Sequence, residues 1–375
     1  FAISQAKALS EEGNEVELVF LRKDASAAVY DDYLRGLNFS IMAEENNSIF
    51  VPLYDLITGI FMPSRRGKGR VDYNLIRKFP SFVKGKGYDL IICQDQWAGL
   101  AGYYAWKKYG IKYAVVVHER LNDFPWVTGW KRIFAILALR YQKKVMMNAS
   151  LVLSLTKKVA ETVQDLYRNE GLKCLDDFPG LEARAFVPYS MKGNTISLVS
   201  FWNEVKNPFA YIPIFRKIRN FKFLMIGSWT SEEYRDKFLK VIIEENLEER
   251  VELFENVSEI EKNQIIARSK FFIRFGFGEF GPGYGTIEAL ENGVPVIINS
   301  DLGIADYLRN YGCSLIIEDV SDVDAVELFI KQNDNEMSYE KMQDGIMHFI
   351  NEYSWKRHVQ KLLGGTSFGK NSTSQ

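Results

Sequence analysis

Short apolar, β-branched runs alternate along this chain with longer stretches whose apolar positions recur every three or four residues. In the first half, residues 15–21, 48–53, 89–93, 112–117 and 151–155 read as strands, and residues 97–109, 130–147 and 158–169 read as helices. Runs this short and this continuously apolar suit strands buried on both faces. Their alternation with helices predicts parallel sheets covered by helices. The pattern pauses near Val187-Pro188-Tyr189, with Lys192-Gly193-Asn194 as a linker, and then restarts. Strands are expected at 196–201, 223–226, 251–254, 271–275, 296–299 and 314–317, with helices at 208–219, 232–245, 259–268, 286–292 and 323–331. The expected fold class is therefore α/β, with two Rossmann-like domains at residues 1–190 and 191–350. A helix at 351–363 and a small, polar, disordered tail at 364–375 complete the reading.

A chain of 375 residues is too long for one ordinary core, which agrees with two domains. Its apolar fraction of 47% and charged fraction of 25% fit a soluble globular protein and exclude collagen-like, disordered and disulfide-framework classes. No apolar run approaches the roughly 18 residues of a membrane-spanning helix. Cys93, Cys174 and Cys313 stand far apart in no metal or redox spacing, so a reducing, cytoplasmic compartment is expected. With His118, His348 and His358 as the only histidines, a multi-histidine metal site is not expected.

Charge changes the picture locally. The net charge is −1, yet residues 51–150 hold 17 lysines and arginines against 6 acidic residues. This basic face is either solvated surface or a dock for an anionic membrane or a phosphorylated acceptor. Residues 62–78 and 130–144 supply much of the charge. No nucleic-acid-binding motif accompanies it, so nucleic acid is not expected as a partner.

The segment richest in chemistry is 271–300. A strand runs into a loop with five glycines among residues 276–285, and a short helix follows, stopped by Gly293. Glycines let backbone N–H groups approach a ligand, and a helix start adds unpaired donors and a partial positive charge. Gly281, Gly283, Tyr284, Gly285 and Thr286 are therefore candidates to seat a phosphate or diphosphate, with Glu288 one turn further on where a ribose would fall. The bland alternative is a flexible turn with an exposed carboxylate. Gly276-Phe277-Gly278-Glu279-Phe280-Gly281 also matches G-x-G-x-x-G, but Pro282, Gly283 and Gly285 prolong the loop beyond what a dinucleotide fingerprint allows. Asp322-Val323-Asp324 matches a metal-diphosphate D-x-D, although its place at a helix start makes capping the better reading.

Residues 279–300 resemble the donor-binding signature of the retaining glycosyltransferase family 4, which has the GT-B fold. The match is closest over Glu288-Ala289-Leu290-Glu291-Asn292-Gly293-Val294-Pro295-Val296-Ile297. The family places seven residues between its two glutamates, whereas eight separate Glu279 from Glu288, which reads as a one-residue insertion with Glu279 retained. Phe1 to Val19 resembles the family's first helix and second strand, so a preceding strand and glycine-rich loop are expected upstream of the numbered chain. His118 and Glu119 follow the 112–117 strand where the family has a sugar-contacting histidine. Residues 199–207 resemble the family's G-R-L-x-x-x-K-G loop: Lys206 takes the lysine position, but Phe201 stands where the arginine should be. Arg274, ending the strand beside the glycine loop, is a candidate substitute.

The resemblance implies two domains whose parallel sheets face each other across a cleft. It implies transfer of a sugar from a nucleotide diphosphate-sugar to a glycan or lipid-linked acceptor, without metal and with retention at the anomeric carbon. Lys206 and the glycine loop would stabilise the leaving diphosphate, Glu288 would hold the ribose, and Glu279 would meet donor sugar hydroxyls. His118 would contact the sugar from the opposing domain, so catalysis would need closure. Two other readings stay open: a non-catalytic sugar-nucleotide binder, suggested by the lost arginine, and a sugar-nucleotide epimerase.

Overall fold

The computed structural model describes residues 1–22, 34, 36–43, 73–121, 128–129 and 132–367. The chain divides into two compact units, Phe1–Asp177 with Trp355–Gln375, and Phe178–Ser354. The first division thus falls at Asp177 rather than near 190. The reason is packing: Phe178 is already 2% exposed, in ring contact with Tyr307, Phe349 and Tyr353 of the second unit.

In the first unit, α1 (Ala2–Glu11) leads into β1 (Glu17–Arg22), which pairs in parallel with β2 (Asn38–Ala43). After α2 (Tyr73–Val83) come β3 (Leu90–Gln94), α3 (Asp95–Tyr109), β4 (Lys112–Val117), α4 (Arg132–Asn148), β5 (Leu151–Ser154), α5 (Lys157–Leu166) and β6 (Cys174–Asp176). Strands β3, β4, β5 and β6 form a parallel sheet in that order. The predicted strand at 48–53 lies outside the described residues. Strands β2 and β6 were not expected: β6 has three residues, too few for a periodic signal, and Asn38 and Ser40 dilute the apolar run in β2.

In the second unit the chain runs β7 (Gly193–Val199), α6 (Ile212–Lys217), β8 (Lys222–Ile226), α7 (Glu232–Glu244), β9 (Val251–Phe254), α8 (Glu259–Arg268) and β10 (Ser269–Arg274). It continues through α9 (Tyr284–Glu291), β11 (Val296–Asn299), α10 (Ala305–Leu308), β12 (Ser314–Ile317), α11 (Val323–Asn333) and α12 (Glu336–Glu352). The six parallel strands lie in the order β12-β11-β10-β7-β8-β9. All six residues of β10 and all four of β11 are buried, as expected of central parallel strands with helices on both faces. The helix predicted at 208–219 splits into a 3-10 turn (Pro208–Tyr211) and the shorter α6, because Pro213 lacks the amide that a continuous helix needs.

The final helix α13 (Trp355–Ser367) belongs to the first unit and packs on α1. It runs through Gly364 and Gly365, so the expected tail does not begin there; Gly365 lies against Leu151 and is held by packing. Residues 368–375 lie outside the described set. Among the described residues no helix is long and apolar enough to cross a membrane.

Candidate active site

The strand order of the second sheet reverses between β7 and β10. In open parallel sheets a ligand crevice forms at the carboxyl ends of two such strands, because the loops leaving them turn to opposite faces. The loops here are those carrying Lys206 and the glycines.

After β7, Asn203 Oδ1 accepts from the Lys206 N–H at 2.9 Å, a side-chain turn that aims the lysine back over the strand end. Asn207 then takes the left-handed conformation at φ +33°, which asparagine tolerates better than most residues. Phe201, in the family's arginine position, is 54% exposed and brings no charge. Arg274 ends β10 on the neighbouring strand and is 9% exposed. Its Nη1 donates to Val199 O at 2.8 Å and Ser200 Oγ at 3.0 Å, and its Nη2 donates to Glu279 Oε2 at 2.8 Å. Lys206 Nζ pairs with the same Glu279 oxygen. Two cations therefore converge on one carboxylate, while Glu279 Oε1 is buried without a hydrogen-bond partner. The trio leaves one positive charge in excess at the strand ends, where an anion gains more than it would in water.

The glycine loop is braced from below. Asn299 Oδ1 accepts from Gly276 N–H at 2.7 Å, Asn299 Nδ2 donates to Gly276 O at 2.8 Å, and Asp301 Oδ2 accepts from Gly278 N–H at 3.3 Å. Asp301 thus braces the loop. Gly281 O accepts from Gly303 N–H at 3.1 Å. Gly283 caps α9 at φ +68°, and the helix begins at Tyr284, two residues earlier than the spacing predicts. Gly285 is glycine for packing, since a Cβ there would stand 3.3 Å from Val199 Cβ. Thr286 is fully buried and its hydroxyl has no hydrogen-bond partner.

Glu288 points from the second turn of α9 to Lys262 Nζ at 2.9 Å, and its Oε2 is buried and unpartnered. Burial raises its pKa, with Lys262 opposing the shift. One turn on, Glu291 Oε1 accepts from Glu182 N–H at 3.2 Å, and burial lifts its pKa to about 7. Sequence reasoning missed Glu291 and Lys262. The three-residue spacing of Glu288 and Glu291, which puts both on one helix face, was the available signal. Asp322 caps α11 by accepting from Ala325 N–H at 3.0 Å, and Asp324 pairs with Lys217 at 2.9 Å, so the D-x-D is a capping motif. Among the described residues no group of three or more His, Cys, Asp or Glu side chains could hold a metal ion.

His118 lies in the first unit, just beyond β4. Its Nε2 is 2.9 Å from Gln94 Oε1, and burial lowers its pKa to about 4. The cluster Arg65-Arg66-Gly67-Lys68-Gly69-Arg70 lies outside the described residues. On α4, Ile133, Ile136, Leu137 and Tyr141 are exposed beside Arg140 and Lys144.

Comparison with known proteins extends this picture. Residues 1–171 match the family model described as Glycosyltransferase Family 4, and residues 182–346 match that of Glycosyl transferases group 1. No curated protein matches the chain. Among solved structures, HepE of Anabaena in complex with UDP is similar at a TM-score of 0.70 and 12% identity, over 98% of this chain and 96% of that one. A glycosyltransferase of Rickettsia africae is similar at 0.70 and 16%, over 99% and 94%. A sucrose-phosphate synthase of Thermosynechococcus elongatus is similar at 0.69 and 14%, over 96% and 90%. With its two α/β units and parallel sheets, the chain has the domain architecture of the GT-B glycosyltransferases.

Proposed function

We propose that this protein is a retaining glycosyltransferase that moves a sugar from a nucleotide diphosphate-sugar to a glycan or lipid-linked acceptor without a metal ion. The observation that carries this reading is the convergence of Lys206 and Arg274 at the β7/β10 reversal, beside the start of α9. A diphosphate takes the place of Glu279 opposite the two cations. Glu279, released, accepts hydroxyl groups of the donor sugar. Gly281, Gly283, Tyr284, Gly285 and Thr286 form the remaining seat, and Glu288 accepts from the ribose. Preformed cations of this kind stabilise the leaving group as the anomeric carbon becomes positive, and need no reorganisation at that moment. Arg274 supplies the charge that Phe201 does not, which favours a working enzyme over a non-catalytic binder. His118 is assigned the sugar contact that its family position implies.

Purified protein incubated with a panel of sugar nucleotides, with and without a chelator, tests this reading. Release of nucleoside diphosphate unaffected by chelation, with an axial donor bond retained in the product, is the expected result. Nucleotide binding without turnover on any donor or acceptor would favour the binder, and acceptor-independent isomerisation of the donor would favour an epimerase. For the acceptor side, the exposed apolar and basic positions of α4 support docking at the inner face of an anionic membrane by a cytoplasmic protein. Equal recovery on neutral and anionic vesicles would refute that.

A further inference from the structure

Lys262 joins the start of α8 to the second turn of α9. Ser258 caps α8 by accepting from Glu261 N–H at 3.2 Å, which sets Glu259 and Lys262 three residues apart on one helix face. Lys262 Nζ donates to Glu259 Oε1 at 2.9 Å and to Glu288 Oε1 at 2.9 Å, and Glu259 Oε2 lies 2.7 Å from it. The lysine side chain is 12% exposed, against 54% for Glu259 and 25% for Glu288. Beside it, Asn292 Nδ2 donates to Asn263 Oδ1 at 3.1 Å and to Glu288 O at 2.7 Å, and Asn263 Nδ2 donates to Glu259 O at 2.7 Å. One charged bridge and one neutral bridge thus tie α8 to the helix that carries Glu288.

Burial works against charge on Lys262 and on Glu288, and their attraction works for both. For Lys262 the two carboxylates outweigh burial and raise its pKa above the ordinary lysine value, so Glu288 faces a full cation. A carboxylate accepts about four hydrogen bonds, and Lys262 occupies one position on Oε1. Glu288 Oε2 is buried and has no hydrogen-bond partner in the protein. An acceptor left in this state is costly unless a ligand brings the donor.

We propose that Lys262 is a positioning residue for the ribose contact: from α8 it pins the Glu288 carboxylate through Oε1, so that the remaining lone pairs accept from the vicinal hydroxyls of a nucleotide ribose. This rests on the donor site proposed above. The lysine itself does not meet the ligand. Without it, burial would favour the protonated acid, which offers a donor where the ribose needs an acceptor, and the side chain would be free to turn.

The test is calorimetric binding of UDP, GDP and ADP to the full chain, each against its 2′,3′-dideoxy form. The unaltered protein should bind the ribose form of its preferred nucleotide about 10- to 100-fold more tightly than the dideoxy form, the strength of hydrogen bonds to a charged group. In Lys262→Met that ratio should fall to about threefold or less, with the dideoxy form still bound within about twofold of the unaltered protein. Lys262→Arg, which can pair with the same carboxylate, should keep most of the ratio. Lys262→Gln serves if Lys262→Met does not fold, and its ratio should fall in the same direction. An unchanged ratio in these uncharged variants, or an equal loss of affinity for both forms, overturns the proposal and leaves the donor site standing, since a merely structural lysine acts on both forms alike. No binding, or equal binding of the two forms by the unaltered protein, defeats the ribose role of Glu288 and this proposal with it.

Discussion

Gly227 carries the backbone contact on which the arrangement at the strand ends depends. It follows β8 at φ +129°, a conformation that side-chain-bearing residues rarely adopt, and a Cβ there would stand 1.9 Å from Ser200 O and 3.0 Å from Ser200 C. Neither backbone is free to yield, because Gly227 N–H donates to Phe254 O at 2.9 Å and Ser200 N–H donates to Ile226 O at 3.1 Å. For Gly227→Ala the strained dihedral costs about 1–3 kcal/mol, and pushing Ser200 off its contact costs about 1–3 kcal/mol more. The expected loss is about 2–6 kcal/mol in chemical denaturation. A second effect reads out at the site. Ser200 Oγ and Val199 O hold the Arg274 guanidinium, so moving Ser200 also loosens Arg274. Nucleotide affinity of the folded variant, by calorimetry, should fall at least about tenfold, the equivalent of one lost charge-assisted hydrogen bond.

Gly278→Ala is the matched comparison. Its φ is +69° and nothing lies within 4 Å of its Cβ position, so only the left-handed backbone penalty of about 1–2 kcal/mol applies. If Gly227→Ala costs no more than Gly278→Ala, or leaves nucleotide affinity unchanged, the close approach of these two backbones does not hold the site together and the reasoning fails.

The charged trio predicts substitutions of opposite sign. Arg274→Met and Lys206→Met should each weaken nucleoside diphosphate binding about 10- to 100-fold, the worth of a charge-assisted hydrogen bond, measured by calorimetry. Glu279→Gln removes the counter-ion that competes with the diphosphate, so it should tighten nucleotide binding while lowering turnover; weaker binding would refute the exchange of Glu279 for diphosphate. Glu291 gives a pH signature. Its folded pKa of about 7 lies above its ordinary 4.5, so the native state binds the extra proton and stability falls as pH rises from about 4.5 through about 7. The total is on the order of 3 kcal/mol. Glu291→Gln should flatten this fall, and denaturation curves for the two proteins that stay parallel from pH 5 to pH 8 would sink the assignment.

Most of the second unit was legible in the sequence because its strands carry short apolar runs, unbroken at residues 271–273 and 296–298, where the strands are buried on both faces. Residues 251–254, 296–299 and 314–317 are strands to the residue. The sites read less evenly. Lys206 and Glu288 stand on motifs of fixed local spacing, which a linear scan can find. Glu279 could be placed only by assuming an inserted residue; in the fold it pairs with Lys206 and Arg274. The contacts that link His358, Gln5, Gln94 and His118 left no trace in the sequence, since these residues stand far apart along the chain and meet only through the fold.

The substitution at position 201 shows why a motif and a site are different things. Read along the chain, Phe201 removes a cation and suggests a degenerate donor site. In the folded unit, β7 and β10 are neighbours in the parallel sheet, so the last side chain of β10 reaches the end of β7. Arg274 does so with one guanidinium nitrogen on Val199 O and Ser200 Oγ and the other on Glu279. What a diphosphate requires is positive charge at the end of these two strands, and the field there does not depend on which strand supplies it. Phe201→Arg should therefore leave nucleotide affinity nearly unchanged in the presence of Arg274 and rescue it in Arg274→Met. If Phe201→Arg instead strengthens binding about 100-fold while Arg274 is intact, position 201 has been an unfilled cation site all along, and Arg274 serves only to hold Glu279 in place.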